Sequence, residues 1–518
     1  MSVHHLLVNA AQAFPQAQAV RHLGQSACWQ RFAHRVARRA TALRAAGCQP
    51  GDRVGVLSAN VPEHLEAIFA VLWAGLILVP LNTRLAAAEQ RFILEHAQCR
   101  LLLHDDRHLA RSHELKAVSP GLSVVRLDPI DAWDTAADPL AALTGLAFSP
   151  AQPRASAAIV YTGGTTGTPK GVELSHNALL IQALAAKDNF RLDEKTVFIH
   201  TAPMFHVADF TAGLGVTAAA ARHCFLPEFS PKALLDTIEA EGVDVAILVP
   251  TMIMATLDGA GERRDVMQRL RTILYGAAPI QEPVLRRLMS EAPGVGLIQV
   301  YGQTEVGGAC SMLKERHHVL DGPDAGKLGS AGRTLPAFSI RIADDAGHEV
   351  PVGTVGEIQV SGPGVMTSYW RAPELTAATL QGGWLRTGDL GTLDAEGFVS
   401  VVGRLKDMII TGGENVFAGE VESALMYHPA VQAAAVVGVP DDRWGESVHA
   451  VVVVKPGAQA TEADLIEHCR TRIARYKCPR TVSFRAALPL SSVGKVRKVD
   501  LVAEWHQASQ GTAQSPTR

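Results

Sequence analysis

Between Arg53 and Pro80 the chain passes through a short apolar segment, a long apolar helix pattern and a second apolar segment, and this order constrains the fold more than any other stretch. Arg53-Val54-Gly55-Val56-Leu57 reads as a strand, Pro62 to Ala74 as a helix, and Leu76-Ile77-Leu78-Val79 as a second strand stopped by Pro80. Strand, helix and strand in succession imply a parallel sheet and an α/β fold. The longest apolar run, Ile68 to Pro80, is too short to span a bilayer and contains Gly75, so it reads as a buried helix passing into a strand. The pattern returns at Arg100 to Leu103 and again at Leu122 to Val125. Ahead of it, Trp29 to Gly47 has helical spacing of apolar positions, with Gly47 as the stop.

A chain of 518 residues exceeds what one core usually organises, and 47% apolar residues supply a large domain plus a smaller one. A net charge of -3, with Lys and Arg scattered, leaves no electrostatic footprint for nucleic acid and points to a small-molecule partner. The seven cysteines form no Cys-x-x-Cys pair, which argues against a zinc cluster or a disulfide framework and fits a reducing cytoplasm. The start lacks a basic region followed by an apolar one, so no secretory signal is expected.

The densest chemistry lies in Tyr161-Thr162-Gly163-Gly164-Thr165-Thr166-Gly167-Thr168-Pro169-Lys170-Gly171, which follows the apolar run Ala157 to Val160 and precedes a strand and a helix. Closely spaced glycines leave backbone amides unobstructed, threonines add hydroxyl donors and Lys170 adds a positive charge, so the segment reads as a polyphosphate loop. A P-loop of the NTPase kind needs Lys directly after its last Gly and then Ser or Thr; Pro169 and Gly171 break that spacing. A Gly/Thr-rich surface turn is the plain alternative.

Further along, small residues end a strand at Tyr275-Gly276-Ala277-Ala278, where a flat aromatic ligand could approach the backbone or the chain could simply turn. In Val300-Tyr301-Gly302-Gln303-Thr304-Glu305, Tyr301 offers a ring for adenine, Thr304 a hydroxyl for the α-phosphate and Glu305 a hard oxygen ligand for magnesium. Alternation around Phe338 to Ile342 and Val355 to Val360 predicts a small antiparallel region, and Asp389 is expected at a turn, where it could act as a cap. Near the end, the Gly494-Lys495 turn can carry an amine across a cleft.

Together these motifs, in this order over nearly the whole chain, resemble the adenylate-forming superfamily of acyl-CoA synthetases, luciferases and peptide-synthetase adenylation domains. The resemblance implies a large N-terminal domain of parallel sheets with a β-rich subdomain (1–403), a hinge (404–406) and a small mobile α+β C-terminal domain (407–518). It places His206 near the substrate carboxylate with Phe205 and Val207 shaping the pocket, Gly276, Ala277 and Ala278 along the adenine and acyl sites, and Asp389 and Arg404 on the ribose. It makes Lys406 the pivot and Lys495 the adenylation lysine. Gly412 and Gly413 would border the pantetheine tunnel, and Trp444 and Tyr476 are weaker candidates for contacts to coenzyme A.

The activity so implied uses ATP, Mg2+ and coenzyme A: a carboxylate attacks the α-phosphate, pyrophosphate leaves, and the CoA thiolate displaces AMP from the acyl-adenylate. Thr162, Gly163, Gly164, Thr165, Thr166, Gly167 and Lys170 would cradle the phosphates. The apolar segments around His206 and Gly276 favour a medium-chain or longer fatty acid, with an aryl or hydroxycinnamate-type acid as the alternative. A non-catalytic nucleotide-binding protein is a third reading, and a homodimer is compatible with all of them. Neither a His-Glu-x-x-His nor a Gly-x-Ser-x-Gly motif is present to favour another enzyme class, and a peptide-synthetase domain is disfavoured because no carrier domain follows.

Overall fold

The computed structural model describes residues 2–129, 154–163, 169–278, 280–490 and 496–512. Between Arg53 and Pro80 the chain forms strands Arg53–Leu57 and Ile77–Pro80 flanking the helix Pro62–Trp73. Both strands lie in a seven-stranded sheet, ordered Ser368–Tyr369, Lys170–Ser175, Ser156–Thr162, Ile77–Pro80, Arg53–Leu57, Leu101–His104, Ser123–Arg126. From Ser156–Thr162 to Ser123–Arg126 every pairing is parallel. The two strands at the other edge are antiparallel, so Ser156–Thr162 and Lys170–Ser175 form a hairpin. Every residue of Pro62–Trp73 is buried, which explains why that helix shows no polar stripe.

A second sheet has nine strands, ordered Arg333–Thr334, Ser311–Leu313, Gly296–Tyr301, Thr272–Gly276, Val245–Ile247, Val197–His200, Arg222–Phe225, Gln18–His22, Gln25–Cys28. Its central five strands, Gly296–Tyr301 through Arg222–Phe225, run parallel. One continuous apolar core joins this sheet to the first through Trp29, Phe32, Phe69, Leu72, Phe198 and Phe210. In an open parallel sheet the carboxyl ends of the strands shape the ligand crevice. Here those ends deliver the chain to Thr201, Leu248, Ala277 and Gly302.

Ser339–Ala343, Gly356–Ser361, Trp384–Leu393, Leu380–Gln381 and Val399–Arg404 build an antiparallel sheet, as the alternation predicts. A fourth sheet comprises Glu414–Phe417, Met408–Thr411, Gly445–Val454, Val431–Asp441 and Thr481–Phe484. With helices Ala418–Met426 and Glu462–Arg470 it encloses a core of its own around Ile409, Val421, Leu425, Val448 and Leu465. The layers are thus α/β, β and α+β in chain order.

One expectation needs correction, and one element is new. Asp389 is not at a turn: it lies within the strand Trp384–Leu393, directly opposite Arg404. Gly388 at φ 69 and a register shift at Leu390/Gly391 bend that strand, which is what makes the sequence there look like a turn. The hairpin Gln18–His22/Gln25–Cys28 escapes the sequence reading, because its strands are short and polar, and only Leu23-Gly24 marks the reversal. No helix of the described residues is long and apolar enough to cross a membrane.

Candidate active site

Gly296–Tyr301, a central strand of the nine-stranded sheet, carries the centre of the site at its carboxyl end. Tyr301 donates its hydroxyl hydrogen to Asp389 Oδ2 at 2.9 Å, and Arg404 Nε sits 3.0 Å from Asp389 Oδ1. Removal from water, and then the Asp389 carboxylate, push the Tyr301 phenol well above its ordinary value, so it stays a neutral donor. Thr387 Oγ1 donates to the Ile358 carbonyl at 2.6 Å and accepts from the Asp389 amide at 3.0 Å, fixing the backbone beneath the carboxylate. A nearly buried carboxylate is thereby held between a phenol and an exposed guanidinium.

Two glycines let the backbone close in around Tyr301. A Cβ on Gly276 would lie 2.2 Å from the Val300 carbonyl oxygen, and one on Gly302 only 1.8 Å from that of Gly308. Neither position admits a side chain without displacing backbone. Ala277, next to Gly276, takes φ 64, a left-handed conformation that costs a non-glycine residue about 1 kcal/mol or more and so marks a constrained turn. Ala278 follows it along the same crevice.

After Gly302 the chain makes a single helical turn, Thr304–Val306. Glu305 Oε1 accepts a hydrogen bond from the Tyr369 hydroxyl at 2.9 Å, and its backbone carbonyl accepts from the Met366 amide at 2.8 Å. Burial, followed by the Glu305 carboxylate, raises the Tyr369 phenol far above its ordinary value. Lys170 Nζ lies 5.6 Å from the centroid of the Tyr369 ring, so Lys170 and Glu305 share one aromatic neighbour. The described residues hold no cluster of three or more metal-ligating side chains. Glu305 is a single hard carboxylate, one oxygen of which is already engaged, and it suits a magnesium ion that takes its other ligands from phosphates and water.

Thr162 and Lys170 face each other in the hairpin register, so the phosphate-loop segment starts and ends at a paired neck, with Gly163 just beyond Thr162. Gly164, Thr165, Thr166 and Gly167 lie outside the described residues, as does Lys495. Leu490 and Val496, on either side of the latter, form an antiparallel bridge. His206 precedes the helix Val207–Ala218, with its ring centroid 4.6 Å from that of Phe205. Lys406 is exposed on the turn Leu405–Asp407, two residues past Arg404.

Gly412 and Gly413 form the turn between Met408–Thr411 and Glu414–Phe417, and Trp444 lies in the turn between Val431–Asp441 and Gly445–Val454. Gly412 at φ 61 donates its amide to the Trp444 carbonyl at 2.8 Å, and a Cβ there would strike the indole at 2.7 Å. The guanidinium groups of Arg443 and Arg480 both lie over the indole, 4.7 Å and 4.4 Å from its centroid.

Sequence reasoning passed over three side chains that hold these pieces together. Gln182, buried on the helix His176–Asn189, donates to the carbonyls of Val306 and Ala309 at 2.8 Å each and accepts from the Ala309 amide at 3.2 Å. Asn60, beyond the strand Arg53–Leu57, donates to the carbonyls of His200 and Ala202 and accepts from the Met204 amide, tying one sheet to the other. Tyr369 is the third. Each acts over more than 60 residues of sequence, as with the 64 between Tyr369 and Glu305, so no local spacing announces it.

Residues 7–370 match the family model described as AMP-binding enzyme, and residues 420–495 match the AMP-binding enzyme C-terminal domain. A feruloyl-CoA synthase from Amycolatopsis sp is 39% identical over 498 residues, covering 95% of this chain and 96% of that protein. An indoleacetate–CoA ligase from Aromatoleum aromaticum is 36% identical, covering 94% and 95%. Among solved structures, the o-succinylbenzoate CoA synthetase of Bacillus subtilis, in complex with its acyl-adenylate intermediate, superposes with a TM-score of 0.83 at 30% identity, covering 96% of this chain and 97% of that one.

Proposed function

The chain belongs to the AMP-binding enzyme family and carries the family's C-terminal domain, and from that premise we propose that it is an ATP-dependent, AMP-forming ligase joining an aryl-containing carboxylic acid to coenzyme A. The observation that carries the nucleotide half is the Tyr301–Asp389–Arg404 constellation beside Glu305. Asp389 can accept from ribose hydroxyls, the Tyr301 ring can cover a purine, and Arg404 can turn from the carboxylate to the sugar. The acid half rests on the aryl acids named for the two relatives and on the small side chains of Gly276, Ala277 and Ala278 at the carboxyl end of their strand. A fatty acyl chain, favoured by the apolar segments, is the competing reading.

A carboxylate is anionic and has no leaving group, so it must be activated before a thiol can attack it. In the first step its oxygen forms a bond to the α-phosphorus of ATP while the bond to the bridging oxygen breaks and pyrophosphate departs. Thr304 donates to the α-phosphate, and Lys170 and Lys495 oppose the charge that builds on the phosphates. Glu305 is the residue that would hold magnesium, which when bound would supply further neutralisation of the phosphate charge. In the second step the CoA thiolate bonds to the acyl carbon, and the carbon–oxygen bond to AMP breaks. Lys406 is the pivot between the two arrangements, which bring Lys495 and then the Gly412-Gly413 turn to the same adenylate.

The deciding experiment is a screen of hydroxycinnamates, arylacetates and fatty acids, reading pyrophosphate release and CoA-thioester formation separately. Turnover of an aryl acid with AMP as co-product supports the reading. Exclusive use of fatty acids replaces the substrate, and nucleotide binding without pyrophosphate release from any acid removes the enzyme reading altogether.

A further inference from the structure

Behind the acid side of the site runs a chain of side chains that the reaction does not use. His200 ends the strand Val197–His200, and Asp209 lies in the first turn of the helix Val207–Ala218. Their side chains meet, His200 Nδ1 to Asp209 Oδ1, at 2.5 Å, and both are 0% exposed. On its far side His200 Nε2 is 2.9 Å from His223 Nδ1, and His223 Nε2 is 3.2 Å from Thr217 Oγ1. Thr217 Oγ1 is in turn 3.1 Å from the Gly213 carbonyl. Gly213 allows the approach, since a Cβ there would lie 3.1 Å from His200 Cε1.

The hydrogen positions follow from the acceptor at the end of the chain. The Gly213 carbonyl can only accept, so the single Thr217 hydroxyl hydrogen goes to it. His223 therefore carries its hydrogen on Nε2, and its bare Nδ1 accepts from His200 Nε2–H. One proton is left to be shared between His200 Nδ1 and Asp209. The chain is then neutral as a whole, as its complete burial requires. In keeping with this, burial raises the Asp209 carboxyl, with His200 opposing, and burial followed by His200 lowers the His223 imidazole well below its ordinary value.

His200 and Asp209 bracket the loop 201–206, which contains Phe205 and His206, together with the first turn of the helix that follows it. We propose that the Asp209–His200–His223 chain is a clasp across the base of this loop, a set of positioning residues that hold Phe205, His206 and Val207 in register and so set which acids the site accepts. The proposal rests on the reading of that loop as the acid side of the site. Asn60 grips the same loop from the other sheet, and Thr201 donates to the Ile247 carbonyl, so the clasp closes the remaining side.

Asp209→Ala opens the clasp, whereas Asp209→Asn preserves it, because the amide can donate to His200 Nδ1 and the chain stays neutral. With ferulate, or dodecanoate where the screen favours an aliphatic chain, Asp209→Ala is expected to raise KM for the acid about tenfold while KM for ATP stays within about twofold. Asp209→Asn is expected to stay close to the parent in both. Equal damage to the two KM values, no change in either, or an Asn variant as impaired as the Ala variant overturns the proposal. If Asp209→Ala does not fold, His223→Leu against His223→Asn makes the same comparison, the Asn oxygen replacing Nδ1 as acceptor. Independently of any substrate, nitrogen NMR of histidine-labelled parent protein should show His223 protonated on Nε2 alone. The opposite tautomer excludes the clasp, whereas the expected tautomer with an unchanged acid KM in Asp209→Ala removes its role in acid selection.

Discussion

The Tyr301 hydroxyl reaches Asp389 Oδ2 at 2.9 Å from 88 residues away, joining a central strand of the nine-stranded sheet to the antiparallel sheet. The same carboxylate pairs with Arg404 through its other oxygen. Replacing Tyr301 by Phe removes one hydrogen bond to a charged acceptor, worth about 1.5–3 kcal/mol. We expect KM for ATP in pyrophosphate release to rise about tenfold, with a smaller effect on kcat. An unchanged KM would show that the hydroxyl does not orient the carboxylate toward nucleotide.

Glu305→Gln keeps the size of the side chain and its ability to accept from Tyr369, but removes the charge. Adenylation should slow, and the magnesium concentration needed for half-maximal rate should rise. Tyr369→Phe should produce a weaker effect in the same direction. Identical magnesium curves for parent and Gln variant would remove Glu305 from the metal site.

Gln182→Ala strands two carbonyls and one amide in the interior, those of Val306, Ala309 and Ala309 again. Each buried unpaired group costs about 1–3 kcal/mol, so urea unfolding should show a loss of about 3 kcal/mol or more. Adenylation should fall with it, because the turn that carries Thr304 and Glu305 loses its support. A variant as stable as the parent would mean that water replaces the amide.

Burial holds the His64 imidazole down to about 4 against its ordinary 6.5, opposed by its hydrogen bonds to the Ser58 and Ala59 carbonyls. Below pH 6.5 the unfolded chain therefore takes up a proton that the folded chain refuses. The stability that His64 contributes is complete above 6.5 and is lost as the pH falls toward 4. His318, also held near 4 by burial, adds a second contribution of the same sign. His64→Asn retains a donor for the two carbonyls without a titrating ring. Urea midpoints measured across this window should fall less steeply for the variant, by about one proton, and equal slopes would contradict the assignment.

Lys406→Pro tests the pivot. Proline fixes φ near about -65°, whereas a pivot must change its dihedrals between two arrangements. If the adenylating arrangement tolerates that value, pyrophosphate release should persist while transfer from isolated acyl-adenylate to CoA collapses. Near-normal rates for both steps in a folded variant would reduce Lys406 to an exposed linker residue.

Much of the framework is legible in the sequence because its elements are locally determined. Arg53–Leu57 is read with its observed bounds, and Pro62–Trp73 differs by one residue, since unbroken apolar runs between Gly and Pro leave little choice. The apolar run before the phosphate-loop segment, the strand after it and the position of Tyr301 at a strand end are likewise local, whereas the antiparallel pairing that makes the first two a hairpin is not. What stays hidden is whatever depends on a distant partner. Asp389 looks like a turn residue until the register with Arg404 is known. Gln182 and Asn60 are ordinary polar residues in sequence, and only the crossing of two sheets turns them into clamps for the backbone. His200 and Asp209 are nine residues apart, a spacing that is meaningless without the loop that folds back between them.

The register that places Asp389 opposite Arg404 also bears on how the molecule could be divided. Arg404 ends the strand Val399–Arg404, Met408 begins the next sheet, and only Leu405–Asp407 lies between. A break within that turn would sever no strand and would leave Tyr301, Asp389 and Arg404 on one fragment. The other fragment would keep the apolar cluster around Ile409, Val421 and Val448 whole, while Met426 packs against both cores. On the proposed reading the chain is suited to reconstitution from two separately expressed pieces, one keeping Tyr301, Asp389 and Arg404 together and the other the fourth sheet with its own core, with their reassociation followed through recovery of the proposed thioester synthesis.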